Sequence, residues 1–201
     1  MIEMGTWLSP EGPPRLIGVL PGYVGATWGL AIDIGTTSNV VYLVNLETGD
    51  VVDTAADYNG QITRGEDVIS RIIYAGKDGG LSELQSLVIG TLNRLIERVC
   101  RRQHLEPEMI SKVVIAGNTT MMHLLLALPP EVIRRSPFVP TVNHIPPLVA
   151  RDIGLKTHPE ASLDCRPGVA SYVGADITAG IVASGLDRAG ALTMFIDIGT
   201  N

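Results

Sequence analysis

Cysteine is scarce: the 201 residues hold two, Cys100 and Cys165, far apart and in no C-x-x-C pair. This excludes a disulfide scaffold, a cysteine-rich zinc site and an iron–sulfur cluster held by this chain's own thiolates. Positive charge is also short. Lys and Arg number 15 against 21 Asp and Glu, a net charge of −6, which argues against a basic nucleic-acid surface. No apolar run approaches the roughly 18 residues of a membrane span, and the densest stretch covers only about residues 124–128. The N-terminus lacks a basic segment followed by an apolar core, so no signal peptide is expected. A cytoplasmic protein with no membrane and no nucleic-acid partner is the resulting expectation.

Several chemical signatures are missing too. Gly76-Lys77-Asp78 lacks the upstream glycine and the Ser/Thr of a P-loop. The glycines at 22, 25 and 29 do not form G-x-G-x-x-G, and no G-x-S-x-G element occurs. His104, His123, His144 and His158 show no metal-ligand spacing and read as surface or core residues. What is present is material for a core: 45% of residues are hydrophobic and only 18% charged.

Residues 1–28 are rich in Gly and Pro and read as a lead-in, with a short strand over 16–20 as their only regular element. Residues 30–34, 40–44 and 51–55 are apolar, β-branched runs separated by tight turns, which predicts a three-strand antiparallel meander. The period then becomes helical. Val68, Ile69, Ile72 and Ile73 share one face of a segment over 66–75. Ser82-Glu83-Leu84-Gln85 has the form of a capping box opening a helix that runs to about Arg102, with Leu84, Leu87, Val88, Leu92, Leu95, Ile96 and Val99 on its apolar face. A strand over 112–116 leads into a helix over 119–128, stopped by Pro129-Pro130. Residues 129–168 carry eight prolines and read as an irregular crossing segment. A strand over 169–173, a helix over 176–186 and a strand over 191–198 close the chain. Strands alternating with helices after a meander indicate an α/β domain with a mixed sheet.

The most informative feature is an internal repeat. Ile32-Asp33-Ile34-Gly35-Thr36 recurs as Ile196-Asp197-Ile198-Gly199-Thr200, each copy at the end of an apolar run. A carboxylate fixed at a strand end can hold Mg²⁺ directly or through water. The glycine lets the backbone approach a ligand, while Thr36, Thr37 and Ser38 add hydroxyls beside amides that can line an anion-binding concavity. Good turn residues between strands are the plainer alternative, and two copies weigh against it. Asp176 opens a helix of small residues that Gly185 ends; it reads either as a cap or as a carboxylate aimed into a cleft. Ala116-Gly117-Asn118-Thr119-Thr120 sits at a strand end before a helix. Polar groups there can meet an anion, but an ordinary Asn118 cap is the favoured reading for that motif alone.

Taken together, these motifs resemble the actin-like ATPase superfamily. Asp33 to Ser38 would be its first phosphate loop, Asp197 to Asn201 its second, and residues 176–186 the small-residue helix before the second. A narrower similarity covers residues 29–201. It rests on Gly29-Leu30-Ala31-Ile32-Asp33-Ile34-Gly35-Thr36-Thr37, on Asn59-Gly60-Gln61 with Gly65-Glu66-Asp67-Val68-Ile69-Ser70-Arg71-Ile72, and on Gly117-Asn118-Thr119-Thr120-Met121-Met122-His123. Ser136-Pro137-Phe138-Val139-Pro140, Gly174-Ala175-Asp176-Ile177-Thr178-Ala179-Gly180 and Asp197 to Asn201 complete it. The family it resembles is the reductive activators of corrinoid proteins.

The resemblance implies an actin-like, ribonuclease H-like half-domain over 29–190. Residues 1–28 would lead in, and 191–201 would begin a second half, so the chain is expected to be a fragment. It implies ATP-driven one-electron reduction of a corrinoid protein from cobalt(II) to cobalt(I). The cofactors would be ATP and Mg²⁺, with the iron–sulfur cluster in a separate N-terminal domain. Asp33, Asp176 and Asp197 would be the catalytic carboxylates, with Asp33 and Asp197 on the metal. Gly35, Thr36, Thr37, Ser38, Gly117, Asn118, Gly199, Thr200 and Asn201 would bind the nucleotide. The partners would be the nucleotide and a corrinoid protein, and a homodimer is an open arrangement. A small-molecule kinase and a nucleotide-switched, actin-like scaffold are the competing readings.

Overall fold

The computed structural model describes residues 2–7, 15–22 and 25–197. Strand β1 (Ile2–Trp7) pairs antiparallel with β2 (Arg15–Pro21) as a separate two-stranded ribbon. The lead-in therefore contains a second strand that the sequence pattern did not announce. Its residues, Ile2-Glu3-Met4-Gly5-Thr6-Trp7, mix polar and apolar types without a run, and pairing to β2 decides their conformation.

The expected meander is present as β3 (Trp28–Ile34), β4 (Ser38–Asn45) and β5 (Val51–Tyr58), each antiparallel to the next. Gly49, at φ +80°, makes the turn between β4 and β5, where its amide donates to the Asn45 carbonyl. Helix α1 (Val68–Ala75) and helix α2 (Gly80–Arg102) follow. Then come β6 (Ile110–Gly117), α3 (Thr119–Leu125), β7 (Leu148–Val149), β8 (Ser162–Cys165) and α4 (Ala175–Ser184). Six strands form one mixed sheet in the order β5-β4-β3-β6-β8-β7. The β3–β6 and β6–β8 pairs are parallel and β7 is antiparallel to β8. The mixed α/β sheet is the fold class the sequence implied.

The long helix α2 covers one face of this sheet. Leu84, Val88, Leu92, Leu95, Ile96 and Val99 are fully buried against Leu30, Ile32, Ile34, Val41 and Leu43 in a single core. This is the i, i+3, i+4 stripe meeting the alternate residues of two strands. Cys100 and Cys165 are free and buried in that core, and burial pushes their thiols up to about 11 and about 12. Both stay protonated at neutral pH and act as small apolar groups. Among the described residues no helix is long and apolar enough to cross a membrane.

Five local expectations are corrected. Helix α2 starts at Gly80, behind a left-handed Gly79 with no side-chain cap, so Ser82 lies inside the helix and the Ser82–Gln85 box does not form. The capping box is at α1 instead, where Asp67 accepts from the Ser70 amide and Ser70 accepts from the Asp67 amide. Helix α3 ends at Leu125, short of the prolines, because Leu126 turns out of it and Ala127 takes φ +51°. The proline-rich crossing segment contains β8, a central sheet strand. Residues 169–173 are not a strand; only an isolated bridge joins Ala170 to Val173. Nor do residues 191–197 form one. A strand needs a neighbour to complete its ladder, and among the described residues none lies beside this segment. Residues 198–201, the rest of that expected strand and its turn, lie outside the described residues.

Candidate functional site

The carboxyl ends of β3 and β6 lie side by side, with Ile34 paired to Gly117. This is where a parallel pair presents its loops to a ligand. Gly35 makes the first loop. Its amide donates to the Ser38 carbonyl at 2.9 Å, and a Cβ on Gly35 would sit 2.5 Å from that oxygen. Only glycine closes this turn without displacing β4. The second loop is short: Asn118 caps α3 by accepting from the Met121 amide at 2.9 Å, while its Nδ2 donates to Thr36 Oγ1 at 3.1 Å. One side chain therefore acts as the ordinary cap and also ties the two loops together.

A cleft of about 500 Å³ opens above these loops. Asp33, Gly35, Thr36 and Asn118 line it from the strand ends, Asp176 from the first turn of α4, and Asp197 from the far segment. Val68, Ile69 and Ile72 of α1, with Ile133 and Tyr172, form its apolar side. Three carboxylates from widely separated parts of the sequence thus share one cleft. Thr37 and Ser38 belong to the first turn without lining the cleft, and Gly117 packs against the Ile34 carbonyl below it. Gly199, Thr200 and Asn201 lie outside the described residues. One small residue of α4 admits the far segment: the Phe195 ring lies over Gly180, where a Cβ would meet its Cζ at 2.6 Å.

Asp33 has its pKa raised, first by desolvation and then by the negative charges of Asp176 and Asp197. An ionised Asp33 therefore costs stability at every pH above its folded-state pKa. The cost fades as pH falls toward the unfolded value, where both states are protonated. Asp33→Asn is accordingly expected to melt higher than the parent at neutral pH without metal or nucleotide, with the gap closing at acid pH. Thermal melts at the two pH values check this, and a neutral-pH melting point below the parent's would refute it.

The donor chemistry of the cleft bears on what it holds. Its described lining contains carboxylates, hydroxyls and amides, and no Lys, Arg or His. A bare polyphosphate would be repelled, whereas one carrying a divalent cation would find hard oxygen ligands. Among the described residues no group of three His, Cys, Asp or Glu closes on a single point. Mg²⁺ typically takes one or two carboxylates and completes its shell with water and phosphate. The residues present therefore fit a magnesium–nucleotide ligand.

A second layer of the site escaped the sequence reading. Below the first loop lie Asn59, Gln61 and Arg71, all buried. Asn59 Nδ2 donates to the Gly35 carbonyl at 2.9 Å, Arg71 Nη2 donates to the Thr36 carbonyl at 2.5 Å, and Gln61 Nε2 donates to the Leu84 carbonyl at 2.9 Å. On α1 it is Arg71 and Ile72 that are buried, while Ile69 and Ile73 stay exposed. The helical period was correct, but the stripe is divided: Val68, Ile69 and the buried Ile72 line the cleft, while Ile73 does not and stays exposed.

Known proteins place this arrangement. The structure superposes on the solved "Reductive activator for corrinoid,iron-sulfur protein" with a TM-score of 0.93 at 41% identity, covering 99% of this chain and 32% of that one. Its sheet and helices agree with the actin-like half-domain implied by the motifs. The corrinoid activation enzyme RamQ of Eubacterium limosum is 37% identical over 175 residues, 87% of this chain and 29% of that protein. The chain spans about three-tenths of the length of these relatives. The family described as the RACo middle region matches residues 28–189, and the chain belongs to that family.

Proposed function

We propose that this chain is part of the ATP-binding and ATP-hydrolysing domain of a protein that reductively activates a corrinoid protein. The electron, supplied by a low-potential donor through an iron–sulfur domain elsewhere in the protein, takes cobalt(II) to cobalt(I). The observation that carries the reading is the convergence of Asp33, Asp176 and Asp197 above the Gly35-Thr36 loop, in a cleft whose described lining holds no Lys, Arg or His. The names of the similar proteins supply the corrinoid partner.

In this reading Asp33 and Asp197 hold Mg²⁺, which neutralises phosphate charge when bound. Gly35 and Thr36 present backbone and hydroxyl groups to the phosphates, with Asn118 fixing the Thr36 hydroxyl. Asp176 orients the attacking water. Phosphoryl transfer to water asks mainly for such positioning and charge neutralisation. Closure of the cleft on ATP would do the work, through unequal affinity for ATP in the open and closed forms. Cytoplasmic location and a homodimeric assembly are compatible with this role.

The test follows the cobalt spectrum. A full-length protein carrying this chain, with a cobalt(II) corrinoid protein and a low-potential reductant, is expected to produce cobalt(I) much faster with Mg·ATP than without. Equal rates would sink the ATP dependence. Phosphorylation of a small acceptor would favour the kinase, and nucleotide-dependent filaments with no effect on cobalt would favour the scaffold.

A further inference from the structure

Arg71 is the largest fully buried side chain of the described residues, and its charge has no counter-ion in contact. Its guanidinium donates to the Gly65 carbonyl at 2.9 Å, the Gln61 side-chain oxygen at 3.3 Å, the Met121 sulfur at 3.1 Å and the Thr36 carbonyl at 2.5 Å. Among the described residues no carboxylate lies within ion-pair distance of it. Neutral acceptors satisfy the donors without cancelling the charge. A buried cation with no ion-pair contact is costly; burial lowers the Arg71 pKa to about 10, the Asp67 charge only partly opposing it, and Arg71 stays charged at neutral pH. The tolerance of that cost needs a reason.

The position supplies one. In a trans peptide the carbonyl and the following amide point opposite ways. The only cis bond among the described residues precedes Pro137. Asn59 holds the Gly35 carbonyl toward the buried layer, so the Thr36 amide points away from it. Arg71 holds the Thr36 carbonyl in the same sense, so the Thr37 amide also points away. Neither amide takes part in the loop's own hydrogen bonds among the described residues. Two successive outward amides make an anion-binding nest, and a positive charge sits directly beneath it. Among the described residues, the cleft above is lined by three carboxylates and by no Lys, Arg or His.

Resting on the nucleotide-binding reading above, we infer that Arg71 is a positioning residue with an electrostatic share. It fixes the Thr37 amide on the same outward side as the Thr36 amide that Asn59 orients and, from behind the loop, supplies the positive charge that the described cleft wall lacks. Arg71→Gln keeps a donor for the Thr36 carbonyl and removes the charge. Arg71→Lys keeps the charge and loses the fork.

Binding of Mg·ADP and Mg·ATP to the full-length protein and both variants, with thermal melts alongside, separates the roles. The Gln variant is expected to lose at least about tenfold in Mg·ATP affinity. It should lose less for Mg·ADP, which carries less negative charge, and the Lys variant should recover part of the loss. A purely structural role would move the melting point and both affinities together. A folded Gln variant that binds Mg·ATP within twofold of the parent overturns the inference. If the variants do not fold, amide exchange in the parent decides: Mg·ATP must protect the Thr36 and Thr37 amides, and unchanged exchange in nucleotide-bound protein refutes it. A parent protein that binds no nucleotide overturns the functional reading itself, a result distinct from either of these.

Discussion

Asp33→Ala in the full-length protein is expected to lower Mg²⁺-dependent ATP hydrolysis by about 10²-fold or more, a loss typical of removing one pre-positioned charge-stabilising group. The side chain stands at the end of β3, a strand clamped by β4 on one side and β6 on the other. Its carboxylate is therefore fixed before any ligand arrives, and no neighbour on the same strand end can take its place. Asp176 sits on a helix and Asp197 on a segment with no regular structure, so neither can shift into the vacated position without rebuilding its own backbone. The loss should appear mainly as a raised Mg²⁺ requirement and a lowered kcat. The fold should survive, since removing a carboxylate that is desolvated and repelled by Asp176 and Asp197 relieves a cost in the free protein. A folded Asp33→Ala protein with kcat within about threefold of the parent would refute the assignment, because loss of a metal-holding carboxylate cannot be that cheap.

Some of this molecule was legible in its residues. The strands over 30–34, 40–44 and 51–55 declare themselves because each is a short β-branched run closed by turn formers. Helix α2 does so because its apolar stripe, Leu84 to Val99, persists over about four turns. The pentamer repeat singled out Asp33 and Asp197, and the fold brings both to one cleft with Asp176. The failures have physical causes. Strand β8 is Ser162-Leu163-Asp164-Cys165, four residues with one large apolar side chain, and its ladders to β6 and β7 make it a strand. Residues 169–173 have the composition of a strand but fold back on themselves, the Val169 amide bonding the Val173 carbonyl. Arg71 stood in a motif that carries the resemblance, but its burial was not read, because a charged residue in an amphipathic helix reads as solvent-facing. Its burial depends on acceptors from residues 36, 61, 65 and 121, which no local pattern assembles.

Gly174→Ala is the second large effect, and it tests whether the cleft depends on close backbone contact. Gly174 precedes α4 and lies against the start of α3. A Cβ there would fall 2.6 Å from Asn118 Cα and 2.8 Å from the Thr119 amide nitrogen. Both atoms are backbone, and α3 is buried along its whole length, so no side-chain rotation removes the clash. The starts of α3 and α4 must separate, at about 1–3 kcal/mol for overpacking of this kind. That corresponds to a melting point lower by roughly 2–12 °C for a domain of this size. The same movement carries Asp176 away from Asp33 and loosens the Asn118 bond to Thr36, so nucleotide affinity should fall with stability. Gly190→Ala is the control, because a Cβ at 190 meets nothing within 4 Å. An unchanged melting point and unchanged nucleotide affinity in Gly174→Ala would show that the helix starts can part without cost. The joint loss is expected because one backbone contact sets both how the starts of α3 and α4 meet and the spacing of the carboxylates, so the site cannot be loosened without loosening the fold beneath it.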